Sequence, residues 1–350
     1  MDGIDGGAPI AEFAAPSSTV VGAVAAQAPD TAVAGHFGDP SGEQRTWDAG
    51  PAVVDRSHLD VVVVSGPERL GWLNALLSQR LDQLAADAPT EALLLSPNGH
   101  VEQHVEVVDH GERSVLVVEP GHAAVLTDFL DRMRFLTRVE VRDASEDLAV
   151  LTTRHVELDP ETVPPGAVVI RRRWPEGAVD LLVPRREVAA AWSALLAAGT
   201  RPVGHDAFEA VRIAAGEARM GVDTDHRTLA HEVGWVGPAV HLDKGCYRGQ
   251  ETVARVHNLG SPPRRLVALH LDGSEHVLPA RGVEIRQDGR AVGHLTSVAW
   301  HYELGPIGLA VVRKSVVDRG DLATVDGVAV AIDRDLSSAT EPVDLSGIRG

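Results

Sequence analysis

Leu59-Asp60-Val61-Val62-Val63-Val64-Ser65-Gly66-Pro67-Glu68-Arg69-Leu70-Gly71-Trp72-Leu73-Asn74-Ala75-Leu76-Leu77 sets the architecture of this chain. Its first third is β-branched and apolar, which suits a strand, and Gly66-Pro67 punctuates it. Leu70, Leu73, Leu76 and Leu77 then recur at helical spacing. Further strands are predicted at Ala92 to Leu95 and Val101 to Val108, joined through Asn98-Gly99, the dipeptide that most strongly favours a tight hairpin turn. Ser114 to Val118 continues the set, Ala123 to Phe135 reads as a helix and Arg138 to Arg142 as a strand. Strand, helix, several strands, helix, strand is the order of a split βαβ unit.

A second set follows in Leu148 to Thr152, Ala167 to Ile170 and Val179 to Val183, with a helix over Glu187 to Ala198. Another helix, His205 to Ala215, ends at Gly216, the residue type that best ends a helix in the left-handed conformation. Upstream, Asp39-Pro40 marks a helix start, with Asp39 as N-cap and Pro40 in the first helical position, where its missing N–H is no loss. After Ser261-Pro262-Pro263 the character changes to short strands cut by Asp272-Gly273, Asp288-Gly289 and Gly305-Pro306, the pattern of a small antiparallel barrel or sandwich. The expected class is α+β: two ferredoxin-like lobes and a C-terminal antiparallel β-barrel. Residues 1–30 and 337–350 read as loose tails, residues 31–262 as the main domain and residues 263–336 as the barrel.

A net charge of -18 leaves no basic footprint for DNA or RNA backbones, whose phosphates dominate that kind of affinity. One cysteine excludes an internal disulfide and any single-chain zinc or iron–sulfur site built on paired cysteines. The acidic amino terminus lacks the features of a signal peptide and no apolar run is long enough to span a membrane, so the expected location is the cytoplasm. The histidines show no ligand spacing, and no metal site is predicted. Arg171-Arg172-Arg173-Trp174, the most basic run, reads as a solvated strand end.

That single cysteine sits in Lys244-Gly245-Cys246-Tyr247-Arg248-Gly249-Gln250-Glu251. Neighbouring cations favour the thiolate, the nucleophilic and metal-binding form of the group. Lys244 and Arg248 are the candidates for that field, with Cys246 as the reactive atom's owner. Glycines on both sides allow a sharp turn and close approach to a ligand. Glu251 and Gln250 could instead cap a helix running through Thr252 to His257, and Tyr247 could pack as core or stack on a ring-shaped ligand.

Together with Arg212-Ile213-Ala214-Ala215-Gly216, Met220-Gly221-Val222-Asp223, and Gly293-His294-Leu295-Thr296-Ser297, this run resembles the signature of the YgfZ-type folate-binding proteins, relatives of the glycine-cleavage T-protein. The resemblance covers roughly residues 33 to 335. It implies a T-protein-like folate-binding fold with two lobes and a barrel around a central hole, and tetrahydrofolate or a derivative as cofactor. It further implies an accessory role in iron–sulfur cluster assembly or repair, with iron–sulfur client or carrier proteins as partners; charge and hydropathy, as above, speak against DNA and membrane as partners. Carried over residue by residue, the cysteine of that role is Cys246, with Lys244 and Arg248 beside it. Tyr247, Gly249, Gln250, Glu251 and Arg255 become the candidate folate-side residues.

The chain also departs from the T-protein pattern. Where the transferase has a pair of aspartates after its turn, this chain has Gln103 and His104 within Gly99-His100-Val101-Glu102-Gln103-His104. Glu102 lies one residue away, which strand alternation assigns to the opposite face. Ala214 stands where the transferase has the glutamate that grips the pterin, and Ser78-Gln79-Arg80 replaces a Thr-Asn-Asp type of turn. The leading expectation is therefore the accessory role through Cys246. The alternatives are a tetrahydrofolate-dependent aminomethyl- or methyltransferase and a folate-binding module without chemistry.

Overall fold

The structure is a computed structural model and describes residues 15–158, 163, 166–172, 175–319 and 323–333. Residues 1–14 of the expected tail 1–30 and the whole of the expected tail 337–350 lie outside the described residues, as do Arg173 and Trp174 of the basic run. The chain forms two compact units, one made of Met1–Leu59 and Glu146–Phe208, the other of Asp60–Ser145 and Glu209–Gly350.

In the first unit a five-stranded sheet has the order Val168–Arg171, Ala178–Pro184, Leu148–Arg154, Ala52–Asp55, Arg201–Val203. Its strands pair antiparallel except for the last pair, Arg201–Val203 against Ala52–Asp55, which is parallel. The second lobe is thus completed by a strand from well before it in the chain, a pairing that local pattern could not announce. The helix Val188–Ala197 lays Trp192 and Leu195 against Val53, Leu151 and Leu181. The helix Pro40–Ala49 begins as anticipated: the Asp39 side chain accepts from the Gly42 N–H at 2.9 Å. Packed structure starts earlier than the boundary near residue 31. Pro16–Thr19 is a 3₁₀ turn, Val24–Ala25 pairs with Ala34–His36, and the Ser17 N–H donates to Asp55 at 2.9 Å. Arg172 is not solvated either; its guanidinium donates at 2.6 Å to Asp180, whose side chain is fully buried.

The second unit holds the sheet encoded by the opening stretch. Its order is Pro89–Leu95, Val101–His110, Arg113–Val118, Asp60–Ser65, Glu140–Asp143, antiparallel throughout. Val62 and Val64 face the helices Arg69–Leu76 and Ala123–Met133 through Leu73, Leu126 and Leu130. Val61 and Val63, on the other pleat, are buried as well, which is why this strand reads as a continuous apolar run.

A closed six-stranded antiparallel barrel follows, formed by Arg264–Leu271, Gly305–Arg313, Arg290–His301, Glu284–Gln287, Ala323–Val325 and Val328–Asp333. Between sheet and barrel runs the segment that carries the cysteine motif. Its Trp235, Tyr247 and Val253 share one core with Leu93 and Leu95 of the sheet and with Leu266 and Leu309 of the barrel. The motif is therefore anchored on both sides by hydrophobic burial, the main driving force for holding such a loop in place.

Candidate functional site

Cys246 is exposed, in the loop that leads into the helix Gln250–Leu259. The residues around it hold the loop. Lys244 is buried, and its ammonium donates to the backbone carbonyls of Asn74, of Leu77 at 2.5 Å and of Gln79 at 2.9 Å. Asn74 and Leu77 close the helix Arg69–Leu76, whose last carbonyls lack partners within the helix and carry the negative end of its dipole. Lys244 is thus the cationic cap of that helix. Burial is the largest influence on it and brings its pKa down to about 8; Asp82 opposes that shift and Arg80 adds to it.

The neighbouring turn grips the same loop with side chains. The Ser78 hydroxyl donates to the Ala239 carbonyl at 2.7 Å, the Gln79 amide to the Pro238 carbonyl at 2.8 Å and the Arg80 guanidinium to the Asp243 carbonyl at 2.8 Å. Of the departures from Thr-Asn-Asp only Arg80 changes the donor character of this turn: a guanidinium donates to the Asp243 carbonyl, where a carboxylate could only accept.

Tyr247 is core rather than platform. It is buried, burial pushes its pKa up to about 12, and the Lys244 ammonium lies 5.1 Å from its ring centroid. Arg248 donates to Glu102 at 2.7 Å and lies over the Phe129 ring at 5.2 Å. Both cations of the motif thus have partners of their own. Gly249 begins the helix at φ 82°, and Gln250 and Glu251 form its first turn, where a carboxylate complements the helix dipole. Glu251 and Arg255 project from this helix into solvent.

The carboxylate positions of the transferase pattern are occupied as follows. Gln103 is buried, with its carbonyl 2.7 Å from His122 Nδ1. His104 stacks on Trp235 with centroids 4.5 Å apart and planes 8° from parallel, and its Nε2 lies 3.1 Å from Glu91. Glu102 is exposed between buried Val101 and Gln103, as alternation assigns it. A register shift opposite Leu94 and Leu95 makes Glu102 an extra residue in its strand, and its carboxylate reaches Arg248 of the cysteine motif. A bulge adds one residue to one strand of a pair and so re-aims a side chain.

Beside the motif's core lies a buried ionic network. Arg212 donates to Glu209 at 2.9 Å, to Asp223 at 2.7 Å and to Ser297 at 2.8 Å, a structural role in keeping with its place on the helix His205–Ala214. Burial opposes its charge, but Glu209 and Asp223 outweigh that and hold the guanidinium above the ordinary arginine range. Asp223 also accepts from Thr296 at 2.5 Å and from Ser297 at 2.7 Å. Consecutive strand residues reach one carboxylate because a second register shift lies between Leu295 and Ser297. Arg219 pairs with Glu119 at 2.7 Å, and Ala214 is partly buried against the apolar core.

Taken together, the two lobes, the closed barrel and the loop between sheet and barrel define a protein of the T-protein-like fold. Residues 264–335 match the family model of the glycine cleavage T-protein C-terminal barrel domain. The fold is similar to the crystal structure of the glycine cleavage system aminomethyltransferase T from Bartonella henselae, with a TM-score of 0.78 and 17% identity over 92% of this chain and 96% of that one. In sequence the chain is 25% identical to a chloroplastic protein of Arabidopsis thaliana that carries a transferase name, over 80% of this chain and 69% of the relative. It is 28% identical to the aminomethyltransferase of Moorella thermoacetica, over 76% of this chain and 79% of the relative. Among the described residues no helix is long and apolar enough to cross a membrane.

Proposed function

We propose that this protein is a tetrahydrofolate-linked accessory protein of the YgfZ type, which serves the assembly or repair of iron–sulfur clusters in client enzymes through the thiol of Cys246. One observation carries the reading: the only cysteine is exposed in a loop held by Lys244, Ser78, Gln79 and Arg80. A thiol so presented can meet a protein partner without rearrangement of its support. The transferase's carboxylate pair is replaced by a buried amide and a stacked imidazole, neither of which can take that pair's part in methylene transfer.

Folate fits this chain only in part. Ala214 offers no carboxylate to the pterin, and the nearby acids Glu209, Asp223 and Glu119 each pair with an arginine. No step of the proposed role is therefore routed through folate. Calorimetry with tetrahydrofolate tests the ligand, with heat of binding expected at high micromolar protein and no heat refuting it. The role itself is tested in a deletion strain complemented with Cys246→Ala: low activity of cluster-dependent enzymes is expected, and full rescue overturns the reading.

One observation favours a second reading, a tetrahydrofolate-dependent aminomethyltransferase: the bulge that brings the Glu102 carboxylate to the cysteine motif. Release of methylene-tetrahydrofolate from an aminomethylated lipoyl carrier, abolished by Glu102→Gln, would establish it in place of the first.

A further inference from the structure

The helix Ala123–Met133 of the second unit is followed by an apolar pair that the fold leaves in water. Phe135 is 81% and Leu136 98% exposed, and Val125 on the helix itself is 61% exposed. Phe135 adopts φ 45°, the left-handed conformation that glycine usually takes after a helix end. The other described non-glycine residues at positive φ are aspartates and histidines, the types that tolerate it, whereas a bulky aromatic residue there is strained. In the usual form of this helix ending the next residue packs back on the last turn. Leu136 is too exposed to make that contact. Neither side chain therefore serves the packing of its own chain.

Cations surround the pair. Arg132, Arg134 and Arg138 are all exposed, in a chain whose net charge is -18, and against them the helix exposes Asp128 and Asp131. Arg132 has no ion-pair or hydrogen-bond partner among the described residues. Arg134 stands 3.7 Å from Asp131 and Arg138 3.0 Å from Glu68, with all four side chains exposed. Pairs of this kind contribute little and are readily exchanged for other carboxylates. The patch also borders the cysteine motif. Phe129, one turn beyond Val125 and about 6 Å along the axis from the helix end, carries the Arg248 guanidinium 5.2 Å above its ring.

We propose that Val125, Phe135 and Leu136 form the docking surface for a protein partner whose own contact face is apolar and rimmed by carboxylates, and that this partner is the client served by the thiol of Cys246. The inference rests on the role proposed above for that thiol. The exposed aromatic and aliphatic side chains supply the apolar centre of the contact, while the arginines at its rim attract carboxylates and repel basic surfaces. Docking here holds the partner beside the cysteine motif.

The test is complementation of a deletion strain by the full chain, read as the activity of cluster-dependent enzymes. Leu136→Ser and Phe135→Gly should each lower rescue at least about fivefold, as expected for removal of one interface anchor, while the rate of Cys246 alkylation stays at the wild-type value. Phe135→Gly should also raise the thermal midpoint, because glycine relieves the strain at positive φ; a purely structural Phe135 would lose rescue only together with stability. Arg132→Glu should weaken rescue and Arg132→Lys keep it, and equal behaviour of the two overturns the carboxylate rim. Full rescue by Leu136→Ser and Phe135→Gly overturns the docking surface yet leaves the role of Cys246 standing, whereas full rescue by Cys246→Ala overturns that role. Other occupants give their own signs. A wild-type dimer in sedimentation that Leu136→Ser makes monomeric, a cross-link within the chain from benzoylphenylalanine in place of Leu136, or binding to phosphatidylglycerol vesicles that Leu136→Ser abolishes, each refutes a client at this surface.

Discussion

Gly99 and Gly249 meet backbone to backbone: a methyl group on Gly249 would lie 2.9 Å from the Gly99 Cα and 2.6 Å from the Ser96 carbonyl oxygen. Each adopts positive φ, at 79° and 82°. This contact seats the Asn98-Gly99 hairpin turn on the start of the helix Gln250–Leu259, so the strand that carries Glu102 and Gln103 is placed by the cysteine motif itself.

Gly249→Ala should therefore destabilise the protein by about 2–4 kcal/mol in urea unfolding, from strain at positive φ and the clash together. Gly245, two residues from Tyr247, has nothing within 4 Å of the position its Cβ would take. Gly245→Ala should leave stability within about 0.5 kcal/mol. A loss of complementation by a stable Gly245→Ala protein would mark the space beside Cys246 as the place where a partner or ligand approaches. Equal destabilisation by the two substitutions would refute this division of roles.

Lys244 is expected to matter for stability before chemistry. Lys244→Met removes the cation from three carbonyls, each of which costs about 1–3 kcal/mol when buried without a partner. A net loss of roughly 2–4 kcal/mol is expected by denaturant melting, allowing for partial relaxation of the helix end. A change under about 1 kcal/mol would show that the cap is dispensable.

The Asp223 carboxylate receives Arg212, Thr296 and Ser297 in a fully buried setting. Asp223→Asn should cost about 3–5 kcal/mol, because it breaks a buried pair and leaves charge uncompensated. Asp225→Asn provides the contrast. Its partner Arg264 holds it well below the usual carboxylate range, but its side chain is 34% exposed and water can replace much of what is lost. The smaller effect should therefore be at Asp225, and the reverse order in parallel urea melts would contradict the assignment.

His231 sets a pH dependence. Burial first, and then the charge of His257, bring its pKa from 6.5 down to about 4, and its Nε2 has no hydrogen-bond partner among the described residues. Between pH 6.5 and 4 the unfolded chain therefore holds a proton that the folded chain does not, so this group's contribution to stability is lost as the pH falls through that window. The wild type should lose up to about 3 kcal/mol more than His231→Gln between pH 7 and pH 4. Parallel pH profiles for the two proteins would exclude His231 as the source.

Much of the architecture was legible residue by residue because it rests on local chemistry. The valine run, the leucines at helical spacing, the Asp39 cap and the Asn98-Gly99 turn all lie where the sequence placed them, since each depends on neighbours a few positions away. The same holds for the short strands of the barrel and for the glycine at the end of the helix His205–Ala214. Cysteine arithmetic likewise singled out Cys246 without knowledge of any partner.

What surrounds the thiol was decided only by tertiary structure. Lys244 and Arg248 read as a field for Cys246, but long side chains take the partners that topology brings to them: the end of a distant helix for one, Glu102 for the other. Glu102 itself is the extra residue of a bulge, and its reach to Arg248 is a pairing that alternation, which fixes only the face, does not give. The side chains of Asp30, His58 and His205 meet from three separate segments, which no spacing rule could join. The sequence by itself determined which elements form and which residue carries the thiol, because those follow from local propensity and period. Which charges face which partners was left to the fold, because pairing across tens or hundreds of residues is set by the register and packing of whole sheets.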